Sequence, residues 1–496
     1  MEVSVMTEDQ SPGVTRRTFL RGAGSALAAS ALAGTAMAHG LMDAPGNAVP
    51  AGPESKKVAS GARYDVIVIG GGFAGLTAAR DCALRGMKTL LLEARSRVGG
   101  RTFTSSYEDH RLELGGTWIH WTQPNVWNEV SRYGLGLVES AGASPDRLTW
   151  RSGARVFNGD VAKAFPILAD AMAKFCDVDG MGGRSVFPRP YDASFNEQGV
   201  RKFAGMSLKD RLDALKFAPE ADGLISAQLT TLCNRDPASG AFVEHLRLMS
   251  LVNYDMGLLF DCSRYKIEQG MSGLAHSIIA DGRADVMLSA PVAKVERQQT
   301  KVIVTTTAGA QYSAGSVICT VPVNVLKTIE FSPPLDPRKL QVSKAGVAGQ
   351  GAKCYVHIRQ KIGKWMGCGA FPNPITMTWT EQERDDGTLL VAFGPPGLLD
   401  INDEQAVQKA LRTILPGVDV VATTGYQWTA DPYSQGTWCF YHPGQMENAL
   451  TPLRTREGAI FFASADSALG WRGFIDGAIE SGTRTAQEVH AFLDQG

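Results

Sequence analysis

The sequence predicts a protein of mixed α/β and α+β character, and three observations lead to that fold class. A β-branched run at Tyr64–Ile69 leads through a glycine-rich turn into apolar residues at helical spacing over Phe73–Arg85. Strand-like segments return over 265–322. The pattern over 136–259 is mostly helical instead, and Gly351–Gln360 alternates strictly, as a strand does. We therefore expect a βαβ domain built from discontinuous segments and interleaved with a second domain of mixed sheet and helices.

The glycine-rich turn has the G-x-G-x-x-G spacing of a dinucleotide-binding site, formed by Gly70, Gly72 and Gly75. In such a turn the first glycine allows the bend, the second lets backbone approach a pyrophosphate, and the third lets helix and strand pack closely. Glu93 follows a second apolar run, Thr89–Leu92, where a carboxylate can accept the ribose hydroxyls. A glycine-rich turn without a ligand is the alternative, but the strand, the helix and the acid together favour a Rossmann-like site.

A cationic run follows this acid. Arg95, Arg97 and Arg101 flank a flexible glycine pair that ends at Gly100, and three cations near a nucleotide are costly unless phosphate meets them. The run favours FAD over NAD, although an NAD-linked dehydrogenase would share the stretch up to Glu93. Here the chain resembles the flavin amine oxidase family, whose opening motif ends in the same E-A-R-x-R-x-G-G-R run. The resemblance continues to the C-terminus and implies a monoamine oxidase-like fold that binds FAD.

The resemblance implies further FAD contacts. A G-G-x-W segment matches the one that runs along the isoalloxazine ring, and the backbone of one strand residue would touch the adenine. The C-terminal stretch resembles the family's F-A-G-x-E-x and W-x-G-Y motifs, where a helix N-terminus faces the flavin. Three positions depart from these motifs, since Ser464 replaces Gly, Asp466 replaces Glu, and Phe474 stands where the family often has Tyr. The additional FAD-binding residues implied are Gly115, Gly116, Thr117, Val292, Asp466 and Ile475.

Lys353 has the most specific implied role in catalysis. It lies within Gly351–Gln360, where it shares one face with Tyr355 and His357. The pattern alone is typical of a solvated strand lysine. The resemblance implies instead a lysine that holds a water molecule against flavin N5.

Trp438 and Phe474 are expected to form an aromatic cage. The resemblance places Trp438 perpendicular to the flavin, and a core or interface tryptophan is the alternative. Phe474 stands where the second cage residue is often Tyr, so it keeps the ring and lacks the hydroxyl. Thr437 stands where covalently flavinylated members carry Cys, which predicts non-covalent FAD. Predicted substrate contacts are Trp121, Tyr254 and Tyr355, with a core position as the alternative for Tyr254.

The resemblance also implies a reaction. Within the family the chain is most similar to bacterial members that act on nicotine and pseudooxynicotine, and the resemblance implies pseudooxynicotine as the substrate, with nicotine or the substrate of another monoamine oxidase-like enzyme as the alternative. We expect oxidation of a C–N bond in a small secondary N-methyl amine by hydride transfer to FAD, followed by imine hydrolysis to an aldehyde and methylamine. The acceptor would be O2 or a soluble redox carrier, and the chain is expected to be a homodimer. A flavoprotein desaturase remains an alternative class.

The N-terminus is predicted to be a targeting segment. Thr15–Arg21 contains a twin-arginine pair, and Ala36–Ala38 offers a small-residue cleavage site. The stretch between them is too short and too weakly apolar for stable membrane insertion, so we expect export of the folded protein to the periplasm. The expected boundaries are a signal peptide at 1–38, a linker at 39–63, an FAD-binding domain at 64–135, 262–325 and 455–496, and a substrate-binding domain at 136–261 and 326–454.

Composition excludes several function classes. The formal net charge of −1 provides no basic surface for nucleic acid. The eight cysteines lack a C-x-x-C pair and the eight histidines are dispersed, so we expect buried thiols and no metal site. A chain of 496 residues is long enough for two domains of ordinary size.

Overall fold

The computed structural model describes residues 50–108, 110–192 and 195–495. The predicted signal peptide, with its arginine pair and cleavage site, lies outside the described residues. Within the described ranges, every helix is too short or too polar to cross a bilayer.

The first sheet is centred on the strand Arg63–Ile69, which pairs in parallel with Gln311–Cys319 and with Thr89–Leu92. Parallel neighbours need a crossover connection, and the helix Phe73–Leu84 supplies it between the first two strands. Because these strands run in parallel, the residues that follow them meet at one edge of the sheet. In order across the sheet, the strands are Glu330–Ser332, Val292–Arg297, Val302–Thr306, Gln311–Cys319, Arg63–Ile69, Thr89–Leu92 and Asp285–Met287, and Ile460–Phe462 also pairs with Gln311–Cys319.

Both faces of this sheet are buried, which explains the nearly continuous apolar runs in its central strands. Val66 and Val68 pack into a core that includes residues of the helices Phe73–Leu84, Gly270–Gly282 and Ile475–Leu493. Alternate residues on the other face, such as Ile67 and Leu90, pack into a second core with Val317 and Phe462.

The second sheet is mostly antiparallel and has the strand Ala352–Ile358 inside it, between Gly387–Gly394 and Val420–Tyr426. All seven residues of that strand are buried, so both faces are covered by protein. In order across the sheet, the strands are Val420–Tyr426, Ala352–Ile358, Gly387–Gly394, Met377–Arg384, Trp365–Gly369, Arg147–Ser152 and Arg155–Asp160.

Two short strand pairs and helices complete the described fold. The strand pairs join Thr104–Tyr107 with His110–Glu113 and Leu137–Glu139 with Tyr265–Ile267. The remaining α-helices are Pro124–Arg132, Val161–Cys176, Glu197–Arg201, Leu208–Leu215, Pro219–Cys233, Phe242–Leu251, Met256–Asp261, Val323–Leu326, Pro337–Ala345, Glu404–Arg412 and Met446–Arg454.

The structure differs from the sequence prediction in two places. Glu330–Ser332 joins the first sheet by pairing with Val292–Arg297, although it lies in a segment assigned to the substrate-binding domain. The end of the expected linker is hydrogen-bonded to that sheet, because the Lys56 backbone amide donates to the Val286 carbonyl at 2.7 Å.

Candidate active site

One cavity of about 400 Å³ extends from the edge of the first sheet to the second sheet. Its size is within the range of small-molecule sites. The predicted site residues that line it are Gly70, Gly72, Glu93, Arg95, Gly100, Arg101, Gly115, Gly116, Thr117, Val292, Lys353, Trp438, Phe474 and Ile475. Segments more than 400 positions apart in the sequence thus meet at a single site.

The glycines at the sheet edge are fixed by close backbone packing. A Cβ on Gly75 would lie 1.9 Å from the Gly70 carbonyl oxygen, so only glycine lets this helix begin so close to the strand. Gly75 therefore holds the turn together and does not itself line the cavity. Gly100 has φ +60°, and a Cβ there would lie 2.9 Å from the Gly72 Cα.

Glu93 supplies a carboxylate at this end of the cavity. It is 3% exposed, and it accepts the backbone amide of Gly71 at 2.5 Å and that of Arg95 at 2.7 Å. Burial raises the pKa of Glu93, against the opposing effect of these two hydrogen bonds. The side chain is thereby held beside the glycine turn, where the sequence pattern requires a ribose acceptor.

The predicted arginines meet carboxylates of the protein. Arg95 donates to Asp431 at 2.5 Å, and Arg101 donates to Asp466 at 2.6 Å and to the Thr437 carbonyl at 2.8 Å. Asp466 also accepts the Val323 backbone amide at 2.8 Å and does not line the cavity. Part of the charge of the run is therefore met by carboxylates of the protein, in addition to the phosphate expected from the sequence.

Lys353 reaches the glycine segment at the middle of the cavity. Its Nζ donates to the carbonyl oxygens of Glu113 at 2.5 Å and Gly115 at 3.0 Å, and to the Thr117 hydroxyl at 2.6 Å. It also lies 4.5 Å from the centre of the Trp118 ring. The ammonium form therefore uses all three of its N–H groups on this segment.

Burial sets the protonation of Lys353. The side chain is only 5% exposed, and desolvation lowers the pKa of Lys353 to about 7, although Glu113 and Glu381 oppose that shift. The neutral amine keeps a lone pair that can accept a hydrogen bond from water. Lys353 can thus exchange a proton near neutral pH, and it is not a solvated strand lysine.

Trp438 and Phe474 form part of the apolar end of the cavity. The Trp438 indole N–H donates to the Leu232 carbonyl at 2.7 Å, and its ring meets Phe393 in an edge contact at 6.3 Å. Phe474 lies 5.2 Å from Trp471 in a T-shaped contact. These contacts with neighbouring residues hold both rings in place, and both rings line the cavity.

Three predicted substrate contacts do not line this cavity, which corrects the expectation for each of them. Trp121 is 48% exposed and packs against His120 in a tilted arrangement, with the ring centres 3.7 Å apart. The Tyr254 hydroxyl donates to the Gly183 carbonyl at 2.7 Å, and the ring packs against the core. The Tyr355 hydroxyl donates to the Glu113 carbonyl at 3.1 Å, so the ring lies behind Lys353.

Sequence reasoning missed several cavity residues. Trp118, Trp379 and Phe393 form an aromatic wall, with ring centres 5.1 Å apart for the first pair and 5.5 Å for the second. Trp118 belongs to the G-G-x-W segment and could have been chosen from that motif. Trp379 and Phe393 lie on strands without a motif, so only the three-dimensional pairing of strands identifies them.

A buried ion cluster is also part of the cavity wall. Glu244 accepts Arg247 at 2.8 Å and Arg472 at 2.6 Å, and all three residues line the cavity. Both carboxylate oxygens of Glu244 are therefore paired. Among the described residues, groups of three or more His, Cys, Asp or Glu side chains suited to a metal ion are absent, and all eight cysteines are buried and free.

The residues at the sheet edge fit a flavin dinucleotide. The close approach of Gly72 and Gly100 leaves a cradle without side chains beside the buried Glu93 carboxylate. Gly115, which also lines the cavity, is packed closely on the protein, since a Cβ there would lie 2.2 Å from the Arg101 carbonyl oxygen. Aromatic rings enclose the far end, as a site for a planar cofactor and an apolar substrate requires.

Comparison with known proteins decides the family. Residues 73–490 match the profile of the flavin containing amine oxidoreductases. The chain belongs to this family. It is 41% identical over 490 residues to pseudooxynicotine dehydrogenase of a Pseudomonas species, covering 97% of this chain and 96% of that relative. It is 36% identical over 488 residues to nicotine dehydrogenase of Pseudomonas putida, covering 97% of this chain and 98% of the relative.

Solved structures confirm the fold. Wild-type putrescine oxidase bound to putrescine superimposes with a TM-score of 0.72 at 22% identity, covering 86% of this chain and 99% of that one. Cyclohexylamine oxidase from Brevibacterium oxydans gives a TM-score of 0.69 at 18% identity, covering 87% of this chain and 99% of the other. The protein is a flavin-containing amine oxidoreductase with the monoamine oxidase-like fold predicted from the sequence.

Proposed function

We propose that this protein binds FAD non-covalently and oxidises the C–N bond of a small secondary N-methyl amine, with pseudooxynicotine as the first candidate substrate. The observation that carries the proposal is the single cavity that joins the dinucleotide glycines to Lys353, Trp438 and Phe474. The choice of substrate is supported by the 41% identity to pseudooxynicotine dehydrogenase along nearly the whole chain. Nicotine is the second candidate, supported by the 36% identity to nicotine dehydrogenase.

The cavity favours an uncharged amine. Its acidic lining residues are Glu93 and Glu244, and each carboxylate is already engaged by hydrogen bonds from the protein. An ammonium ion would enter without a counter-charge, and desolvation lowers the pKa of an amine. Trp438 and Phe474 would hold the neutral amine between them and exclude water from it. The flavin, when bound, supplies the hydride acceptor.

Lys353 would act after the oxidation step. In its neutral form it accepts a hydrogen bond from a water molecule, and it holds that water beside the Gly115–Thr117 backbone. The water would then add to the imine, which breaks down to an aldehyde and methylamine. The electron acceptor in this proposal is O2 or a soluble redox carrier.

The residue at position 437 supports non-covalent binding of the flavin. Thr437 stands where covalently flavinylated relatives carry a cysteine, and a hydroxyl does not form that thioether link. The neighbouring Cys439 is fully buried with its Sγ 3.7 Å from the Asp466 carbonyl oxygen. In the same proposal the folded homodimer is exported to the periplasm by the twin-arginine route.

Product analysis tests the proposed substrate. The purified holoenzyme is incubated separately with pseudooxynicotine and with nicotine, the loss of each substrate is followed to give kcat/KM, and methylamine and aldehyde are quantified for pseudooxynicotine, because nicotine is a tertiary amine whose nitrogen lies in a ring and releases no methylamine in one oxidation. We expect both products in equal amounts from pseudooxynicotine, with the higher kcat/KM. A higher kcat/KM for nicotine would select the second candidate, and turnover of neither would contradict the proposed substrate class.

A further inference from the structure

All three cations of the arginine run contact one segment of the chain, residues 426–438, which we call the cover segment. Arg95 donates to Asp431 and, at 2.8 Å, to the Ser434 hydroxyl. Arg101 donates to the Thr437 carbonyl at 2.8 Å. The run that the sequence assigns to phosphate therefore also holds a segment more than 300 positions further along the chain.

Arg97 adds an aromatic contact to the same segment. Its guanidinium lies 4.3 Å from the centre of the Phe103 ring and 5.9 Å from that of Trp428. It also donates to the carbonyl oxygens of Gly100 and Thr102. Arg97 thus links the backbone of the glycine pair to the beginning of the cover segment.

Asp431 lies at the centre of the contact between the arginine run and the cover segment. Its carboxylate accepts Arg95 at 2.5 Å, the Tyr426 hydroxyl at 2.5 Å and the Tyr433 backbone amide at 2.8 Å. The side chains of Arg95 and Asp431 are 12% and 5% exposed. Burial alone would raise the pKa of Asp431, but Tyr426 and Arg95 lower it on balance, so the carboxylate is ionised at neutral pH.

The cover segment lies along the cavity from the nucleotide end to the cage. The cavity-lining members of the segment are Trp428, Tyr433, Ser434, Thr437 and Trp438. Gly72, Glu93 and Gly100 line the same cavity. A dinucleotide bound along these glycines would therefore share the cavity with the cover segment, which the contact between Arg95 and Asp431 holds in place.

We propose that Asp431 is a positioning residue that closes the cover segment over the flavin by pairing with Arg95, and that this latch sets how fast the cofactor enters and leaves. The inference rests on the proposed non-covalent binding, because a covalent flavin would need no such closure. Asp431 does not line the cavity, so it acts on the cofactor through Arg95 and the cover segment. Charge-assisted pairs are the strong class of hydrogen bond, so their removal has a measurable effect on opening.

The test compares flavin exchange in the full-length holoprotein and its Asp431→Asn variant. Release is followed as the rise in flavin fluorescence after dilution into flavin-free buffer, and uptake as the quenching when FAD is added to flavin-free protein. We expect both rates to increase at least tenfold in Asp431→Asn, because the latch opposes passage in both directions. The matched control is Asp213→Asn, which removes an exposed ion pair with Lys209 on a helix surface and should leave both rates unchanged.

The two rates separate a latch from a general loss of stability. The thermal unfolding midpoint of the flavin-free Asp431→Asn protein should match that of the Asp213→Asn control within a few degrees. If Asp431→Asn does not fold, Tyr426→Phe removes one hydrogen bond to the same carboxylate and should speed release about threefold. If a folded variant releases and takes up FAD at the wild-type rates, the latch is wrong, even though the enzyme remains yellow and active. If purified wild-type protein is colourless, the proposed function itself is wrong.

Discussion

Replacing Lys353 with Met tests the proposed role of the lysine. The substitution removes the three N–H donors and nearly preserves the length of the side chain. Each carbonyl that loses Lys353 keeps another partner, since the Tyr355 hydroxyl donates to the Glu113 oxygen at 3.1 Å and the Thr117 hydroxyl donates to the Gly115 oxygen at 2.9 Å. We therefore expect Lys353→Met to fold and to keep its flavin.

The size of the expected change in turnover follows from the pKa of Lys353, which burial lowers from 10.5 to about 7. If the neutral amine holds the water, about one tenth of the enzyme is competent at pH 6 and about nine tenths at pH 8. Wild-type turnover should rise roughly tenfold across that range, through an apparent pKa near 7. Lys353→Met should lose this step and turn over at least about tenfold more slowly at pH 8.

The assay separates hydride transfer from later steps. Flavin bleaching after anaerobic mixing reports hydride transfer, and steady-state product release reports the whole cycle. We expect bleaching in Lys353→Met to stay within about threefold of wild type while turnover falls. The control is Lys361→Met, an exposed lysine just after the same strand. A Lys353→Met enzyme with normal turnover and an intact step near pH 7 would refute the reasoning.

Stability gives an independent measurement of the same pKa. Because the folded pKa of Lys353 lies below its unfolded value, the unfolded chain binds more protons between about pH 7 and 10.5. The free energy of unfolding of wild type, relative to Lys353→Met, should therefore rise with pH over that window and level off below it. The shift corresponds to about 5 kcal/mol at most. A difference that is constant over the window would contradict the lowered pKa.

Three further predictions concern the cofactor and the cage. Gly115→Ala should lose most of its flavin, because the added Cβ would lie 2.2 Å from the Arg101 carbonyl oxygen. The control variant Gly205→Ala should keep its flavin, because a Cβ there meets nothing within 4 Å. Equal absorbance near 450 nm in the two variants would contradict the role of Gly115 in the flavin site. Phe474→Ala should lower kcat/KM at least about tenfold, because it removes one wall of the aromatic cage, and its flavin content should be unchanged. Steady-state kinetics measures this effect, and an unchanged kcat/KM would contradict the role of Phe474. Acid denaturation should release intact FAD into the filtrate because Thr437 forms no thioether, and flavin that stays with the precipitated protein would show a covalent link.

Much of the nucleotide end could be predicted from the sequence because local spacing determines it. The strand Arg63–Ile69, the helix Phe73–Leu84 and the strand Thr89–Leu92 follow the predicted order, and the glycine turn brings Glu93 to the sheet edge as expected. Each of these features depends on residues within about 30 positions of one another. The cage residues were predicted from resemblance, since a single Trp or Phe has no spacing that distinguishes it from a core residue.

The errors occurred where long-range packing decides the environment of a side chain. The partner of Arg95, Asp431, lies 336 positions away, so the sequence pointed to phosphate and did not reveal this carboxylate as a counter-charge. Tyr355 alternates onto the same face as Lys353, yet its ring is packed under the Glu113 backbone and does not reach the cavity. Trp121 is a predicted substrate contact, although the chain turns it toward the surface, where it is 48% exposed.

One cavity is proposed to hold a flavin between Lys353 and the pair Trp438 and Phe474, where the flavin oxidises an amine. The decisive experiment is anaerobic mixing of the yellow holoenzyme with a panel of N-methylated amines, with absorbance followed near 450 nm. We expect a secondary N-methyl amine to bleach the flavin completely, and bleaching to be faster at a pH where more of the amine is neutral. A colourless purified protein, or a bound flavin that no amine in the panel reduces, would contradict it.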